Sequence, residues 1–221
     1  MGVISAATFQ RLYLLYLIGA FRNGVYGSKR LHKVAYIPAR KPDAIRPFEF
    51  MKYLYGQYSD TLDDIKDQLN SMGYIVAVPL DTAEIVKFKK HEFNLGGNRF
   101  ILQGSAMRGR HRKALAAISL DLPQLIDEAV EEYGYLKEQD LVNACYRFPE
   151  FQDASDGNLI FAGNVSDQVE IDLSDDECAD LEIALNPVFI ETMLRLDKAL
   201  ETQPIEWGKV QKAEGLSAPN A

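Results

Sequence analysis

Residues 47–75 read PFEFMKYLYGQYSDTLDDIKDQLNSMGYI, and this stretch decides the fold. Its aromatic-rich first part predicts an extended segment that ends in Tyr-Gly-Gln-Tyr-Ser, and a turn is expected to follow. Apolar residues then recur at helical spacing, which predicts an amphipathic helix from Asp60 to Met72. Either Ser59 or Asp60 can accept the first free backbone N–H groups, and Gly73 can stop the helix in a left-handed conformation. We therefore expect Ile65 and Leu69 to be buried in a core.

Two short strands and a turn are predicted after this helix. Tyr74–Leu80 and Ile85–Phe88 are rich in strand-forming residues, and Gly96-Gly97-Asn98 can turn the chain back into Arg99–Leu102. A helix followed by a β-hairpin is the plan of a winged helix. The sequence thus predicts a mostly helical α+β fold, with a winged-helix-like core, a β-hairpin wing and bracing helices.

The most hydrophobic run is LYLLYLIGAF, residues 12–21, between Arg11 and Arg22. Ten residues are too few to cross a bilayer, which needs about 20. The apolar residues fall on one helical face, which favours a buried first helix. The alternative is the core of a signal peptide, but only Arg11 precedes the run and no small-x-small cleavage site follows it.

A second, basic helix is predicted between Ser28, which can cap it, and Pro38, which ends it. We interpret His32, which lies among lysines, as a solvated residue rather than a ligand. The outer face of this helix is predicted to carry Lys29, Arg30, His32 and Lys33.

The second half of the chain is predicted to add bracing helices and an acidic extension. Helical spacing indicates one helix over residues 125–133 and another over residues 141–145. A polar joint and one or two weak strands between residues 158 and 173 follow. Ser174 and Glu177 then form a capping box at the start of a long amphipathic helix.

We expect Pro187 to kink this long helix near its middle. Glycine, serine and proline after Gln203 predict a mobile tail. The expected organisation is a winged-helix-like domain over residues 1–152, an acidic extension with the capped helix over residues 153–202, and the tail over residues 203–221.

Composition predicts a folded chain with two oppositely charged halves. Its 221 residues are 47% hydrophobic, and Cys145 and Cys178 fit no metal or redox spacing, which favours a reducing cytoplasm. Residues 1–120 contain 18 Lys and Arg against 9 Asp and Glu, whereas residues 121–221 contain 6 against 23. A basic half can bind nucleic acid, and an acidic half can bind a basic partner or cover the basic half. The alternative is that both halves are solvated faces.

Three segments share features with one known family. The first is SKRLHKVAYI (residues 28–37), in which a lysine- and leucine-rich helix leads into a tyrosine. The second is a Tyr-Gly-x-Tyr-Ser element that precedes a helix with a Gly-Tyr-Ile exit. The third is CYRFPEF (residues 145–151). Over roughly residues 8–151 the chain resembles the Panacea family of SocA-like proteolytic adaptors and bacterial antitoxins, with the related YwgA-like proteins. The motif residues of the second segment are Tyr55, Gly56, Tyr58 and Ser59.

This resemblance implies a non-enzymatic role. In the family, a winged-helix-like module binds another protein, often a toxin, and sometimes DNA. The chain would then be a bacterial antitoxin or adaptor that neutralises or delivers a protein partner, and no membrane contact is expected. Gln57 stands where the family commonly has proline, and residues 153–221 lie outside the family pattern.

No motif of catalytic or metal chemistry stands out in the sequence. His32, His91 and His111 lie far apart and outside any zinc-binding spacing. The glycines at residues 96–97 are explained by a hairpin turn and are too few for a phosphate-binding loop, and no Gly-x-Ser-x-Gly elbow occurs. We therefore expect no metal, no cofactor and no enzymatic activity.

The alternative function is that of a winged-helix transcription regulator or nucleic-acid-binding subunit. The helix that would enter the major groove carries four aspartates against Lys66 alone, so phosphates would repel it. The wing and the basic cluster after it can still hold a backbone without reading sequence. The residues predicted for that contact are Lys87, Lys89, Lys90, Arg99, Arg108, Arg110, Arg112 and Lys113.

Overall fold

The computed structural model describes residues 1–53, 56–80, 98–103 and 107–202. In this part of the chain the fold is α+β and mostly helical, with small antiparallel sheets, as the sequence predicts. The helices are α1 (Ala6–Ala20), α2 (Ser28–Tyr36), α3 (Asp60–Ser71), α4 (Met107–Ile118), α5 (Leu122–Tyr133), α6 (Glu138–Tyr146), α7 (Pro149–Asp153), α8 (Asp175–Ala184) and α9 (Pro187–Thr202). The strands are β1 (Gly2–Ser5), β2 (Val25–Tyr26), β3 (Phe50–Tyr53), β4 (Gly56–Tyr58), β5 (Ile75–Pro79), β6 (Asn98–Leu102), β7 (Leu159–Phe161) and β8 (Gln168–Ile171).

Helix α1 is the buried first helix that the sequence predicts. It begins at Ser5, whose hydroxyl oxygen accepts the Thr8 N–H at 3.2 Å. The predicted apolar face is only part of its buried surface, because Leu14 and Leu15 are as inaccessible as Leu12. Helices α3, α4 and α5 and strand β6 all pack against α1, so its middle turns contact protein on every side.

None of the helices within the described ranges is long and apolar enough to span a lipid bilayer.

One sheet has the strand order β2-β6-β5 and is antiparallel throughout. Val25 lies opposite Phe100, and Ile75 lies opposite Leu102. The sequence predicts that Arg99–Leu102 folds back onto the strand after α3, and the antiparallel pairing of β5 with β6 confirms this. The strand predicted at residues 85–88 and the turn glycines lie outside the described residues.

Helix α3 begins and ends where the sequence predicts. The Ser59 hydroxyl oxygen accepts the Leu62 N–H at 3.2 Å. Gly73 follows the helix with a φ of +75°, the left-handed conformation that favours glycine. Ile65 and Leu69 are buried, which confirms the predicted core face.

The second sheet shows that the predicted extended segment is two paired strands rather than one continuous run. Gly56–Tyr58 form strand β4, which pairs antiparallel with β3, so that Lys52 lies opposite Gln57. A strand forms here because Gln57 points inward and donates its Nε2–H to the Cys145 carbonyl at 3.1 Å. Tyr55 lies outside the described residues.

The acidic extension shares sheets with the rest of the chain. Both weak strands predicted there are present: β7 pairs with β3, and β8 pairs with β1, with Ile4 opposite Val169. Ile171 and Cys178 belong to the main hydrophobic core. The boundary expected at residue 152 therefore separates β3 from β7, and β1 from β8, although each pair shares a sheet.

The long helix predicted after Ser174 is two helices. Its capping box is confirmed, but α8 ends at Ala184 and α9 begins at Pro187. The Asn186 side-chain oxygen accepts the N–H groups two and three residues further on, at 2.9 and 3.2 Å, and so caps α9. The predicted kink is wrong because proline at a first helical position needs no hydrogen-bond partner. The tail, residues 203–221, lies outside the described residues.

Burial of the α3 core face gives a stability prediction. Leu69→Ala should lower the free energy of unfolding by about 2–5 kcal/mol, because it removes a side chain that is 0% exposed and leaves a cavity beside α1. Urea unfolding followed by circular dichroism measures the change. The exposed Asp64→Ala on the same helix is the control and should cost less than about 1 kcal/mol. Equal costs for the two variants would contradict the packing of α3.

Candidate functional site

The basic side of α2 faces the interior of the protein. Arg30, His32 and Lys33 are 6%, 2% and 1% exposed, so the prediction of a solvated His32 on an outer face is wrong. Strands β2 and β4 and helices α5 and α6 pack around this nine-residue helix and leave it no free basic face. The predicted cap is also wrong, because Gly27 with a φ of +85° precedes the helix and Ser28 is its first residue.

His32 connects α2 to the start of α3. Its Nδ1 accepts the backbone N–H of Ser59 at 3.2 Å, and its Nε2 lies 3.4 Å from Asp63 Oδ1. The ring stacks on Tyr58 with centroids 4.6 Å apart. Burial lowers the pKa of His32, although the neighbouring Asp63 opposes the shift. A neutral ring that accepts at Nδ1 and donates at Nε2 satisfies both contacts.

Asp63 is the acidic centre of this junction. It accepts hydrogen bonds from His32, from the Tyr58 hydroxyl at 3.3 Å and from the Lys66 ammonium. These partners hold the pKa of Asp63 well below its usual range, with the hydrogen bond from His32 contributing most. We name His32, Ser59, Asp63 and Lys66 the α2–α3 clamp.

The Lys33 side chain lies against Gly56 of strand β4. Gly56 has a φ of +107°, and a Cβ at this position would overlap the Lys33 Nζ. The ammonium also lies 6.0 Å from the centre of the Tyr146 ring. Glycine is therefore required here twice, once for the backbone conformation and once for the space that the lysine fills.

All three segments that carry the Panacea resemblance meet around α2. Ser59 and Gly56 of the second segment contact α2 through His32 and Lys33. The third segment contacts α2 through Glu150, which accepts the Tyr36 hydroxyl at 2.9 Å. The pattern quoted from the sequence is thus a set of neighbours in space.

A pocket of about 400 Å³ opens beside His32 of the clamp. The Cys145 thiol lies nearby, but burial raises its pKa to about 11, so it stays protonated and is a poor nucleophile. Both nitrogens of His32 are already engaged. The described side chains thus offer hydrogen bonding and stacking rather than an activated base. The lining includes Lys29, Lys33, Tyr53, Gln57, Tyr58 and Asp60.

The exposed face of α3 is acidic. Asp60, Asp64 and Asp67 point to solvent, spaced so that they cover one side of the helix. Lys66, the only basic residue of α3, is 7% exposed and is bound to Asp63 and Asp67. Lys66 therefore offsets part of the charge of Asp67, and α3 still presents a net negative charge outward through Asp60 and Asp64.

Helix α4 carries the predicted basic cluster, but two of its three arginines bind an acid of the same chain. Arg108 and Arg112 contact the two carboxylate oxygens of Asp127 on α5, at 3.0 and 2.5 Å. Arg112 also donates to the Tyr16 hydroxyl at 2.8 Å. The structure thus brings these two predicted residues together around a carboxylate.

The rest of the predicted basic set is divided. Lys113 pairs with Glu177 of the extension at 3.0 Å, and Arg110 is exposed. His111 on the same helix is buried, and burial lowers its pKa to about 4. Lys87, Lys89 and Lys90 lie outside the described residues.

Arg99 and Arg108 do meet in one groove of about 560 Å³, which Arg22 also lines. Arg99 lies over the Tyr26 ring, 5.7 Å from its centre, and contacts its hydroxyl at 3.3 Å. Arg22 was not among the predicted contact residues, because a single arginine after a helix carries no local signal. The clamp was not predicted either, because its contacts join residues 27 and 31 positions apart.

Within the part of the chain that the structure describes, no group of three or more His, Cys, Asp and Glu side chains is placed to hold a metal ion. Compared with protein-family models, curated proteins and solved structures, the chain matches none of them.

The contact of Lys33 with Gly56 can be tested by substitution. Gly56→Ala should lower the free energy of unfolding by about 2–5 kcal/mol, because the new Cβ adds steric overlap to a strained backbone. Gly157→Ala is the matched control, since Gly157 has a φ of +80° but open space around it, and it should cost about 1–2 kcal/mol. In a Lys33→Leu background the two alanine variants should become similar. Equal losses of unfolding free energy for Gly56→Ala and Gly157→Ala in the wild-type background would contradict the contact between Lys33 and Gly56.

Proposed function

We propose that this chain is a non-enzymatic protein-binding module that resembles Panacea-type antitoxins and adaptors and presents the acidic face of α3 to a basic surface of a partner protein. The observation that carries the proposal is the exposed row of Asp60, Asp64 and Asp67 on a helix whose lysine is buried. Opposite charges on the two partners would speed their encounter and select the partner.

The arrangement of the first half supports a winged-helix-like core. In chain order α1, β2, α2, α3, β5 and β6 give three helices and a sheet with β2 next to β6, and β5 and β6 correspond to the base of a wing. In DNA-binding winged helices and helix-turn-helix proteins the helix at the position of α3 enters the major groove. Here that helix would be repelled by phosphates, which favours a protein partner.

Pairing within the molecule further weakens the case for nucleic acid. Arg108, Arg112 and Lys113 already have carboxylate partners in Asp127 and Glu177. These pairs lie at the surface, where water screens them, yet together they reduce the charge that α4 offers to a phosphate backbone.

Nucleic-acid binding remains the second candidate because of one observation. Arg22, Arg99 and Arg108 come from three different elements and line the same groove. Three guanidinium groups around a groove suit phosphate oxygens. This candidate would be a regulator or nucleic-acid-binding subunit that contacts the backbone without reading bases.

The experiment compares three immobilised proteins exposed to lysate of the native host, with bound proteins measured by quantitative mass spectrometry. They are the wild type, the α3 variant D60N/D64N/D67N and the control E131Q/D176N/D180N. Both variants remove three exposed negative charges. We expect a basic protein that the wild type and the control retain and the α3 variant loses at least tenfold.

A titration with generic duplex DNA, read by fluorescence anisotropy, separates the second candidate. We expect no measurable binding of the wild type at physiological salt. DNA binding that is abolished by R22Q/R99Q/R108Q, together with equal protein capture by all three immobilised forms, would contradict the proposed function and favour the nucleic-acid alternative.

A further inference from the structure

The groove of about 560 Å³ that three arginines line has the features of a small-molecule site. Arg22 follows α1, Arg99 lies on β6 and Arg108 lies in the first turn of α4. A guanidinium stays charged at every physiological pH and presents its N–H groups in a fixed fork that matches phosphate oxygens. The described residues that line the groove include no Asp or Glu, so this lining is positively charged. We name it the arginine groove.

Two glycines shape the arginine groove. Gly24 has a φ of +79°, and a Cβ at this position would overlap the Phe100 carbonyl oxygen. A Cβ on Gly19 would lie 2.8 Å from Leu102 Cδ2. Both glycines line the groove, and both let α1 and the turn after it approach β6 closely. The turn after α1 is therefore held against the strand that carries Arg99.

Aromatic rings hold two of the arginines in place. The Arg99 guanidinium lies 5.7 Å from the centre of the Tyr26 ring, and its Nη1 lies 3.3 Å from the hydroxyl oxygen of that tyrosine. The Arg108 guanidinium lies 5.6 Å from the centre of the Tyr16 ring. Cation–π contacts of this kind order the side chains before a ligand arrives, which reduces the entropy that is lost on binding.

One carboxylate contacts the arginine groove through Arg108. Asp127 pairs with Arg108 at 3.0 Å, but it also pairs with Arg112 and accepts the Tyr16 hydroxyl at 2.8 Å. A single negative charge that two arginines share leaves a net positive charge at this end of the groove. The groove therefore attracts an anion, and more strongly one with several negative charges.

Apolar side chains line the rest of the arginine groove. Ile18, Ile101 and Leu102 lie among the arginines. Pockets of about 300–1,000 Å³ with apolar walls and a few convergent charged groups are typical of small-molecule sites. A ligand that matches this lining has a phosphate-bearing end for the guanidinium groups and a compact body that covers the apolar side chains.

We propose that the arginine groove binds a nucleoside diphosphate. Its two phosphate groups offer several charged oxygens to guanidinium groups from three elements, and its nucleoside covers the apolar part of the lining. A duplex is a poorer occupant, because its phosphates follow an extended backbone, whereas the three arginines line one concave volume. This site lies outside the acidic face of α3 and adds a ligand to the proposed protein-binding function.

Isothermal titration calorimetry of the full chain with ADP, GDP and UDP tests the proposal. We expect at least one of the three to bind, with one molecule per chain. The matching nucleoside and inorganic pyrophosphate should each bind about tenfold more weakly or less, because each lacks one half of the contacts.

Variants locate the site. R22Q/R108Q should weaken nucleoside diphosphate binding about tenfold or more, because charge-assisted hydrogen bonds to phosphate are lost. Both arginines are exposed, so the fold should be kept, which circular dichroism checks. The matched control R110Q/R147Q removes two exposed arginines that do not line the groove and should bind like the wild type.

Other outcomes would overturn the proposal. No binding of any of the three nucleotides at about 1 mM would exclude a nucleoside diphosphate site of useful affinity. Equal binding by the wild type and R22Q/R108Q would place the site elsewhere. Pyrophosphate that binds as tightly as the nucleotide would assign the groove to inorganic phosphates, and a nucleoside that binds as tightly would exclude phosphate recognition.

Two further measurements separate this proposal from the other candidates. Duplex DNA that binds where no nucleotide does, and that R22Q/R108Q fails to bind, would assign the groove to nucleic acid. The α3 variant D60N/D64N/D67N should bind the nucleotide like the wild type, because its substitutions lie outside the groove. Failure of the nucleotide proposal therefore leaves the function proposed for α3 untouched, and the reverse also holds.

Discussion

The structure depends on a buried polar contact between α2 and the start of α3. His32 receives the Ser59 N–H on one ring nitrogen and faces Asp63 with the other, while the Ser59 hydroxyl caps α3. Burying these groups would be costly without partners, and each of them has one. Because the clamp uses the inward side of α3, the outward side is left to Asp60 and Asp64, which form the proposed binding surface.

Charged side chains elsewhere in the fold also have partners within the same molecule. The basic first half and the acidic second half are interleaved rather than separate, since β8 pairs with β1 and Asp127 lies between Arg108 and Arg112. Acids of the second half satisfy cations of the first, which leaves α3 as an acidic face on the basic half. The charge division that the sequence shows is therefore expressed as pairing inside one molecule and, among the described residues, as an exposed row of aspartates on α3, of which Asp67 pairs with Lys66.

Features set by neighbours in sequence were predictable, and features set by distant contacts were not. Helix α3, its Ser59 cap and its Gly73 stop follow from local spacing and capping chemistry. The burial of His32 does not, because nothing local distinguishes a basic helix in water from one surrounded by four elements. Likewise, the apolar stripe across Pro187 predicts one kinked helix, whereas the hydrogen bonds by which Asn186 caps a new helix are seen only in the structure.

Nuclear magnetic resonance of the His32 imidazole nitrogens tests the clamp most directly. Long-range ¹H–¹⁵N spectra recorded from pH 8 to pH 5, assigned by comparison with H32Q, report the charge and the tautomer of the ring. The clamp predicts a pKa below the ordinary value of about 6.5 and a proton on Nε2 whenever the ring is neutral. A ring that titrates at or above 6.5 and averages between tautomers would show a solvated His32 and contradict the account.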